Sequence, residues 1–378
     1  MLKIGIITIH KIYNYGSVLQ AYALQEYCRK CGFNVVIIDY EFPNDYHRQC
    51  ASENFVKIGL SISKKKKIKS LMIKFLYSIS LLRQHKAIRE FVDNYLILTD
   101  EKYSSPEQLL SIPPKCDIFI TGSDQVWNPR YCYGDPSFLL HFASDGKKKI
   151  AYAASFGTAD IDQSFYCLFA SLLSKYTAIS VRENSGVDLV GKIAGMKSLV
   201  VLDPTLLLEA QEWEDILKPA NIEGKYIVCY YLNYSFNAFP YVDKLATHIQ
   251  KITGYKIVRV ARPPEDFFSF NTKIKVSASP EEFLGLIKNA AFVLTTSFHG
   301  TAFALNFSVP MFSIVEDRKT SDSRVVSLLT SVGLSSRILS LGDPFPSVEA
   351  LPCDYSQANA KLANLREISK SFLQDSLL

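Results

Sequence analysis

Residues 3–40 read KIGIITIHKIYNYGSVLQAYALQEYCRKCGFNVVIIDY, and the pattern changes period twice. Residues 4–9 are an apolar run rich in isoleucine, residues 17–30 carry the three-and-four spacing of a helix, and residues 35–39 return to an apolar β-branched run. Two such strands joined through a helix run parallel, because a parallel pair needs a long crossover. The alternation recurs at 116–121, 149–153, 178–181 and 198–202, with a helical segment at 163–175. It then restarts with KYIVCYYL, a helix around 241–252, YKIVRV, a helix around 280–289, AFVLTTS, a helix after His299 and PMFSI. Two Rossmann-type doubly wound α/β domains facing across a cleft are expected, over residues 1–205 and 206–378, with the last helix packing back on the first domain.

A chain of 378 residues, 48% of them hydrophobic, is long and apolar enough for two cores. The net charge of +5 comes without the concentrated basic face and base-reading motifs of a nucleic-acid binder, so no nucleic-acid partner is expected. The cysteines lack framework spacing, and the C-x-x-C of Cys28 and Cys31 falls inside a helical pattern and not at a strand–helix junction. Reduced thiols in a cytoplasmic protein are the reading, supported by a first segment that looks like a strand and not a signal peptide. Residues 61–94 stand apart. Ile68, Leu71, Met72, Phe75, Leu76, Ile79 and Leu82 make one helical stripe, among Lys64, Lys65, Lys66, Lys67, Lys69, Lys74, Arg83, Lys86 and Arg89. A basic amphipathic helical insertion of this kind either caps the first domain or lies in an anionic membrane interface, here the inner face of the cytoplasmic membrane.

Loops at the carboxyl ends of parallel strands are where open α/β sheets bind ligands. After the first strand, Asn14, Tyr15, Gly16 and Ser17 stand at a helix start whose N–H groups can receive an anion or a sugar hydroxyl. After the 116–121 strand come Ser123 and Asp124, with Asp124 able to act as a base, and Trp127, which offers a stacking face. After the 178–181 strand comes Arg182, suited to clamp a carboxylate or phosphate, or else to form a salt bridge with Glu183 or Asp203. After the 290–294 run comes Thr295-Thr296-Ser297-Phe298-His299-Gly300. His299 is a candidate acid–base group in a setting where Gly300 would let a ligand approach the backbone. No second ligand stands at metal spacing from it, and no G-x-G-x-x-G, Walker loop or G-x-S-x-G occurs, so neither metal nor cofactor is expected.

Taken in order, NYGSVLQAYALQ, ITGSDQVWNP, AYAASFG, SVRENSG, VLDPTLL and TSFHGTAFALNFSVPMF resemble the motifs of the polysaccharide pyruvyl transferase family, from the first strand to about Leu334. The resemblance implies a GT-B-like pair of domains. It also implies transfer of the enolpyruvyl unit of phosphoenolpyruvate to a sugar of a bacterial surface glycan or its lipid-linked precursor, closing a pyruvate ketal. By resemblance His299 is the general acid, or a phosphate ligand if the acid lies elsewhere. Arg182, with Ser297 and Gly300, belongs to the donor site, and Asp124 is a candidate base. Asn14, Tyr15, Gly16, Ser17, Ser123 and Trp127 fall to the acceptor. Where the family reads Arg-Leu-His-Gly, this chain has Ser297-Phe298-His299-Gly300, and Arg318, Lys319 and Arg324 are the candidates to replace the missing arginine. A GT-B glycosyltransferase using a nucleotide sugar and a non-catalytic glycan-binding protein are the competing readings.

Overall fold

The computed structural model describes residues 1–52, 67–232, 236–260, 272–274, 278–318 and 323–378. Within these residues the strands β1 (Lys3–Ile7), β2 (Asn34–Tyr40), β3 (Leu98–Tyr103), β4 (Ile118–Thr121), β5 (Lys148–Ala154), β6 (Ala178–Val181) and β7 (Leu199–Val200) form a seven-stranded sheet in the order β3-β2-β1-β4-β5-β6-β7. The strands β8 (Tyr226–Tyr230), β9 (Lys256–Val260), β10 (Thr272–Ile274), β11 (Phe292–Thr295), β12 (Met311–Val315) and β13 (Ile338–Ser340) form a six-stranded sheet in the order β10-β9-β8-β11-β12-β13. The pairings are parallel; Ile4 faces Val35 on one side and Ile118 on the other.

Each sheet reverses its winding once, at β1/β4 in the first and at β8/β11 in the second. A crevice opens outside the strand ends at such a point, because the loops on its two sides lead to helices on opposite faces. The Tyr15–Lys30 helix leaves β1 there, its start capped by the Asn14 side chain, which accepts from the Gly16 N–H at 2.9 Å. The Phe298–Asn306 helix leaves β11 at the corresponding point of the second sheet.

The two halves share one apolar cluster that includes Tyr15, Trp213, Phe283 and Phe303. Tyr15 stacks on Phe283 with ring centroids 4.6 Å apart, and its hydroxyl donates to the Ala278 carbonyl at 2.9 Å. The Ser356–Leu377 helix returns to the first sheet: Arg366 Nε donates to the Leu206 carbonyl at 2.7 Å and the Leu202 N–H donates to Ser369 Oγ at 2.9 Å.

The Lys67–Tyr95 helix lies against the Tyr15–Lys30 helix and buries Gln84, Ile88, Phe91 and Val92. Gln84 Nε2 donates to Tyr15 Oη at 2.5 Å, so this end of the basic segment is a domain cap that reaches the interdomain seam. Leu82, placed on the apolar stripe by its spacing, is exposed. Lys64, Lys65, Lys66 and Lys319 lie outside the described residues, as do the side chains of Lys67, Ile68, Leu71, Met72, Phe75 and Leu76. Among the described residues no helix is long and apolar enough to cross a membrane.

Candidate functional site

The turn after β11 is built by its own hydroxyls. Thr295 Oγ1 donates to the Tyr230 carbonyl at 2.7 Å and accepts from the Ser297 N–H at 3.0 Å, while Ser297 Oγ accepts from the Gly300 N–H at 3.3 Å as the helix cap. Ser297 is therefore committed to the helix start. Gly300 is committed to packing: a Cβ there would stand 2.4 Å from Thr295 Oγ1 and 3.1 Å from the Tyr230 ring, so its bare Cα faces the protein and not a ligand. The cap aims His299, which is 6% exposed, across the seam at the start of the Tyr15–Lys30 helix. A Cβ on Gly16 would lie 2.0 Å from His299 Nδ1, so glycine is what lets the imidazole rest on that backbone.

On the far side of the ring, His299 Nε2 stands 3.6 Å from Asp203 Oδ2. Asp203 caps the turn Pro204–Leu206, its Oδ1 accepting from the Thr205 N–H at 3.0 Å and from Thr205 Oγ1 at 2.7 Å. Its Oδ2 accepts from Ser123 Oγ at 2.8 Å and from Arg182 Nη1 at 2.9 Å. Burial works to raise this carboxyl, but the charges of His299 and Arg182 with the Thr205 bond outweigh it and hold it well below the usual carboxylate range.

Arg182 lies over the Phe298 ring, its Cζ 4.6 Å from the centroid. Among the described residues its Nε and Nη2 are buried without a hydrogen-bond partner, as is His299 Nε2. Asp124 Oδ1 is 3.9 Å from Nη2, too long for a hydrogen bond. Asp124 itself sits at φ 75°, a left-handed conformation that aspartate tolerates better than most residues, and accepts from Ser17 Oγ at 2.5 Å and from the Gln125 N–H at 2.8 Å. Burial again works to raise its carboxyl, and Arg182, His299 and Ser17 together hold it below its ordinary value.

The structure thus brings together Gly16, Ser17, Ser123, Asp124, Arg182 and His299, with the start of a long helix from one domain and of a nine-residue helix from the other. Of the two partners foreseen for the Arg182 salt bridge, Asp203 takes it. Glu183 instead accepts from Ser155 Oγ and the Phe156 N–H at 3.0 Å and from the Gly157 N–H at 3.1 Å, and burial raises its carboxyl. Arg324 lies close enough for its charge to act on Glu183, whereas Arg318 donates to Asp343 Oδ2 at 2.9 Å and to the Ile338 carbonyl. A cavity of about 520 Å³ between the domains is lined by Arg182, Asp203, Phe298, Ser327, Thr330 and Ser331.

Three candidates for the acceptor have other work. Trp127 is in the core against Phe156 and Tyr176, its Nε1 donating to the Phe138 carbonyl at 3.0 Å. Tyr15 is closed into the seam, and Asn14 is spent on its cap. The residues that sequence reasoning did not assign to the site are Asp203 and Phe298. Asp203 had a signal, since Asp-Pro-Thr after an apolar run places a carboxylate at a strand end.

A comparison with solved structures finds the same architecture at low identity. S. aureus MnaA in its co-structure with UDP superposes with a TM-score of 0.52 at 11% identity over 98% of this chain and 91% of that one. UDP-GlcNAc 2-epimerase from Neisseria meningitidis bound to UDP-GlcNAc gives 0.49 at 9% over 100% and 99%. Arabidopsis thaliana UGT89C1 complexed with quercetin gives 0.46 at 11% over 97% and 94%. The likeness is one of fold alone, and the fold is GT-B. No curated protein sequence matches. Residues 14–318, which carry every element of the cluster around His299, match the family model for polysaccharide pyruvyl transferase; the chain belongs to that family and is a transferase.

Proposed function

We propose that the protein moves the enolpyruvyl unit of phosphoenolpyruvate onto a sugar of a bacterial surface polysaccharide or its lipid-linked precursor, closing a pyruvate ketal and releasing phosphate. The observation that carries the reading is the set of buried donors on Arg182 and His299 that have no hydrogen-bond partner among the described residues, both side chains converging on Asp203 Oδ2, in a member of this family. A buried guanidinium with two unpartnered nitrogens is costly unless an anion completes it. Phosphoenolpyruvate is a small double anion with both a carboxylate and a phosphate to offer. Phe298 holds the guanidinium plane, Arg324 adds positive charge nearby, and the starts of two helices add their dipoles.

The chemistry then needs a proton delivered to the methylene carbon. His299 Nε2 gives it, and Asp203, 3.6 Å away, stabilises the imidazolium before transfer. The methylene becomes a methyl group, and the neighbouring carbon becomes electrophilic with its charge shared by the attached oxygen. A sugar hydroxyl oxygen bonds to that carbon and surrenders its proton to Asp124, which is ionised in this setting, or back to His299. A second hydroxyl bonds to the same carbon as the bond to the phosphate oxygen breaks, and its proton leaves with the phosphate. The two hydroxyl protons account for the one added to carbon and the one carried by phosphate.

Incubation with phosphoenolpyruvate and galactose-, glucose- or mannosamine-terminated acceptors should give a pyruvate increment by mass spectrometry with one phosphate released per ketal. Sugar transfer from a nucleotide sugar, with phosphoenolpyruvate inert, would replace this reading with a glycosyltransferase. Contact with an anionic membrane through the basic 61–94 segment, at the cytoplasmic face, belongs to the same proposal, and salt-sensitive binding to anionic liposomes tests it.

A further inference from the structure

With Tyr15, Ser17, Ser123 and Trp127 buried or bonded within the protein, the surface that meets the acceptor must lie elsewhere on the first domain. The loop between β1 and its helix has one residue that does not fold inward. The Asn14 N–H donates to the Ile12 carbonyl at 2.8 Å, closing a three-residue turn with Tyr13 at its apex. Tyr13 is 45% exposed. One face of its ring is covered by His85 of the Lys67–Tyr95 helix, with centroids 3.4 Å apart and planes 9° from parallel. The exposure therefore falls on the opposite face and the edge. Lys11, two residues before Tyr13 in the same loop, is ion-paired with Asp39 of β2, and both are partly open to solvent.

The position is close to the chemistry. Tyr13 precedes Gly16 by three residues, a span of at most about 11 Å, and Gly16 is the residue on which the His299 imidazole rests. The neighbour of His85, Gln84, bonds Tyr15 at the seam, so the helix that backs the ring is fixed relative to the site.

We propose that the Tyr13–His85 stack, in the loop that also carries the Lys11–Asp39 pair, is the subsite that seats a pyranose ring of the acceptor. An aromatic face offers the apolar C–H side of a sugar ring a flat partner, while the ammonium and carboxylate of the loop's ion pair take its hydroxyls. Held three residues along the chain from Gly16, on which the His299 imidazole rests, the sugar would present its hydroxyls toward the electrophilic carbon. The inference rests on the reading of the chain as a transferase to a sugar, but not on the identity of the donor.

The test uses the full-length protein with the methyl glycosides of galactose, glucose and N-acetylmannosamine as probes, followed by saturation-transfer NMR and titration with phosphoenolpyruvate present. At least one glycoside should bind the wild type. Its affinity should fall roughly 3- to 10-fold in Tyr13→Ala and be kept in Tyr13→Phe, with both variants unfolding at the wild-type temperature because the side chain is exposed. Failure of the wild type to bind any of the three, wild-type affinity in Tyr13→Ala, or a Tyr13→Phe variant as weak as the alanine would each overturn the assignment. Thermal shift with phosphoenolpyruvate is read separately. If that ligand leaves all three proteins unchanged while the glycoside pattern holds, the subsite stands and the donor assignment falls.

Discussion

Gly16→Ala replaces a hydrogen by a methyl group at the point where the two domains touch. The new Cβ would stand 2.0 Å from His299 Nδ1 and 2.2 Å from its Cγ. Ordinary contact needs about 3.5 Å, so the imidazole or the helix start must retreat by roughly 1.5 Å. Misplacing a reacting group by about 1 Å costs on the order of 100-fold in rate. Stability should change far less. Gly16 lies in helical backbone without positive φ, so alanine gains about 1 kcal/mol of helix propensity against an overpacking cost of about 1 to 3 kcal/mol. The assay is kcat for pyruvate transfer beside the thermal unfolding midpoint. Gly191→Ala is the control, since it makes the same change inside the Asn184–Ala194 helix with nothing within 4 Å of the added carbon, and it should leave kcat untouched. A folded Gly16→Ala protein with wild-type kcat would refute the placement of His299 at the reacting carbon.

His299→Gln should keep most of the donor affinity while kcat falls by roughly 10²- to 10⁴-fold, measured under saturating phosphoenolpyruvate; equal losses in affinity and turnover would make the residue a phosphate ligand. Arg182→Ala should weaken phosphoenolpyruvate binding by about 1.5 to 3 kcal/mol in a calorimetric titration. It should also destabilise the fold, by up to about 3 to 5 kcal/mol in denaturant, because it takes the arginine from the buried Asp203 carboxylate; unchanged donor affinity would reduce Arg182 to a partner of Asp203. The carboxyl of Asp203 is depressed in the folded protein, so its stabilising contribution is complete above the unfolded value of about 3.9 and is lost as pH falls through the lower folded value. Asp203→Asn should accordingly be less stable at neutral pH and show a shallower loss of stability below about pH 4, and an acid limb as steep as that of the wild type would contradict the linkage.

Much of the fold was legible because a parallel sheet is buried on both faces. β1, β8 and β11 read as unbroken apolar runs, and the helices between them keep their period. β3 was not legible for the same reason in reverse: it is an edge strand whose residues Asp100, Glu101 and Lys102 face water, so neither an apolar run nor a clean alternation marks it. β13 has three residues, too few for any period, and becomes a strand only because β12 is already there to pair with it.

The site divides along a different line. Chain position told where functional groups would gather, since polar loops after β1, β4, β6 and β11 meet at two facing switch points. It did not tell which atoms would remain available. Tyr15 and Trp127 have the side chains of sugar-stacking residues, but each has a large apolar area to bury and an interior carbonyl to bond, and that combination draws them into the protein. Tyr13, in a loop with no cavity to fill, stays outside. Asp203 escaped for a subtler reason. The Asp-Pro-Thr pattern reads as a turn cap, and the structure makes it one through Oδ1 alone. A carboxylate has a second oxygen, and nothing local in the sequence states where it points. Oδ2 meets Ser123, Arg182 and His299, residues 80, 21 and 96 positions away, so its role exists only once both sheets have closed around it. A local motif therefore accounts for half of this side chain, and the half it leaves over is the half that joins Arg182 and His299 across the seam.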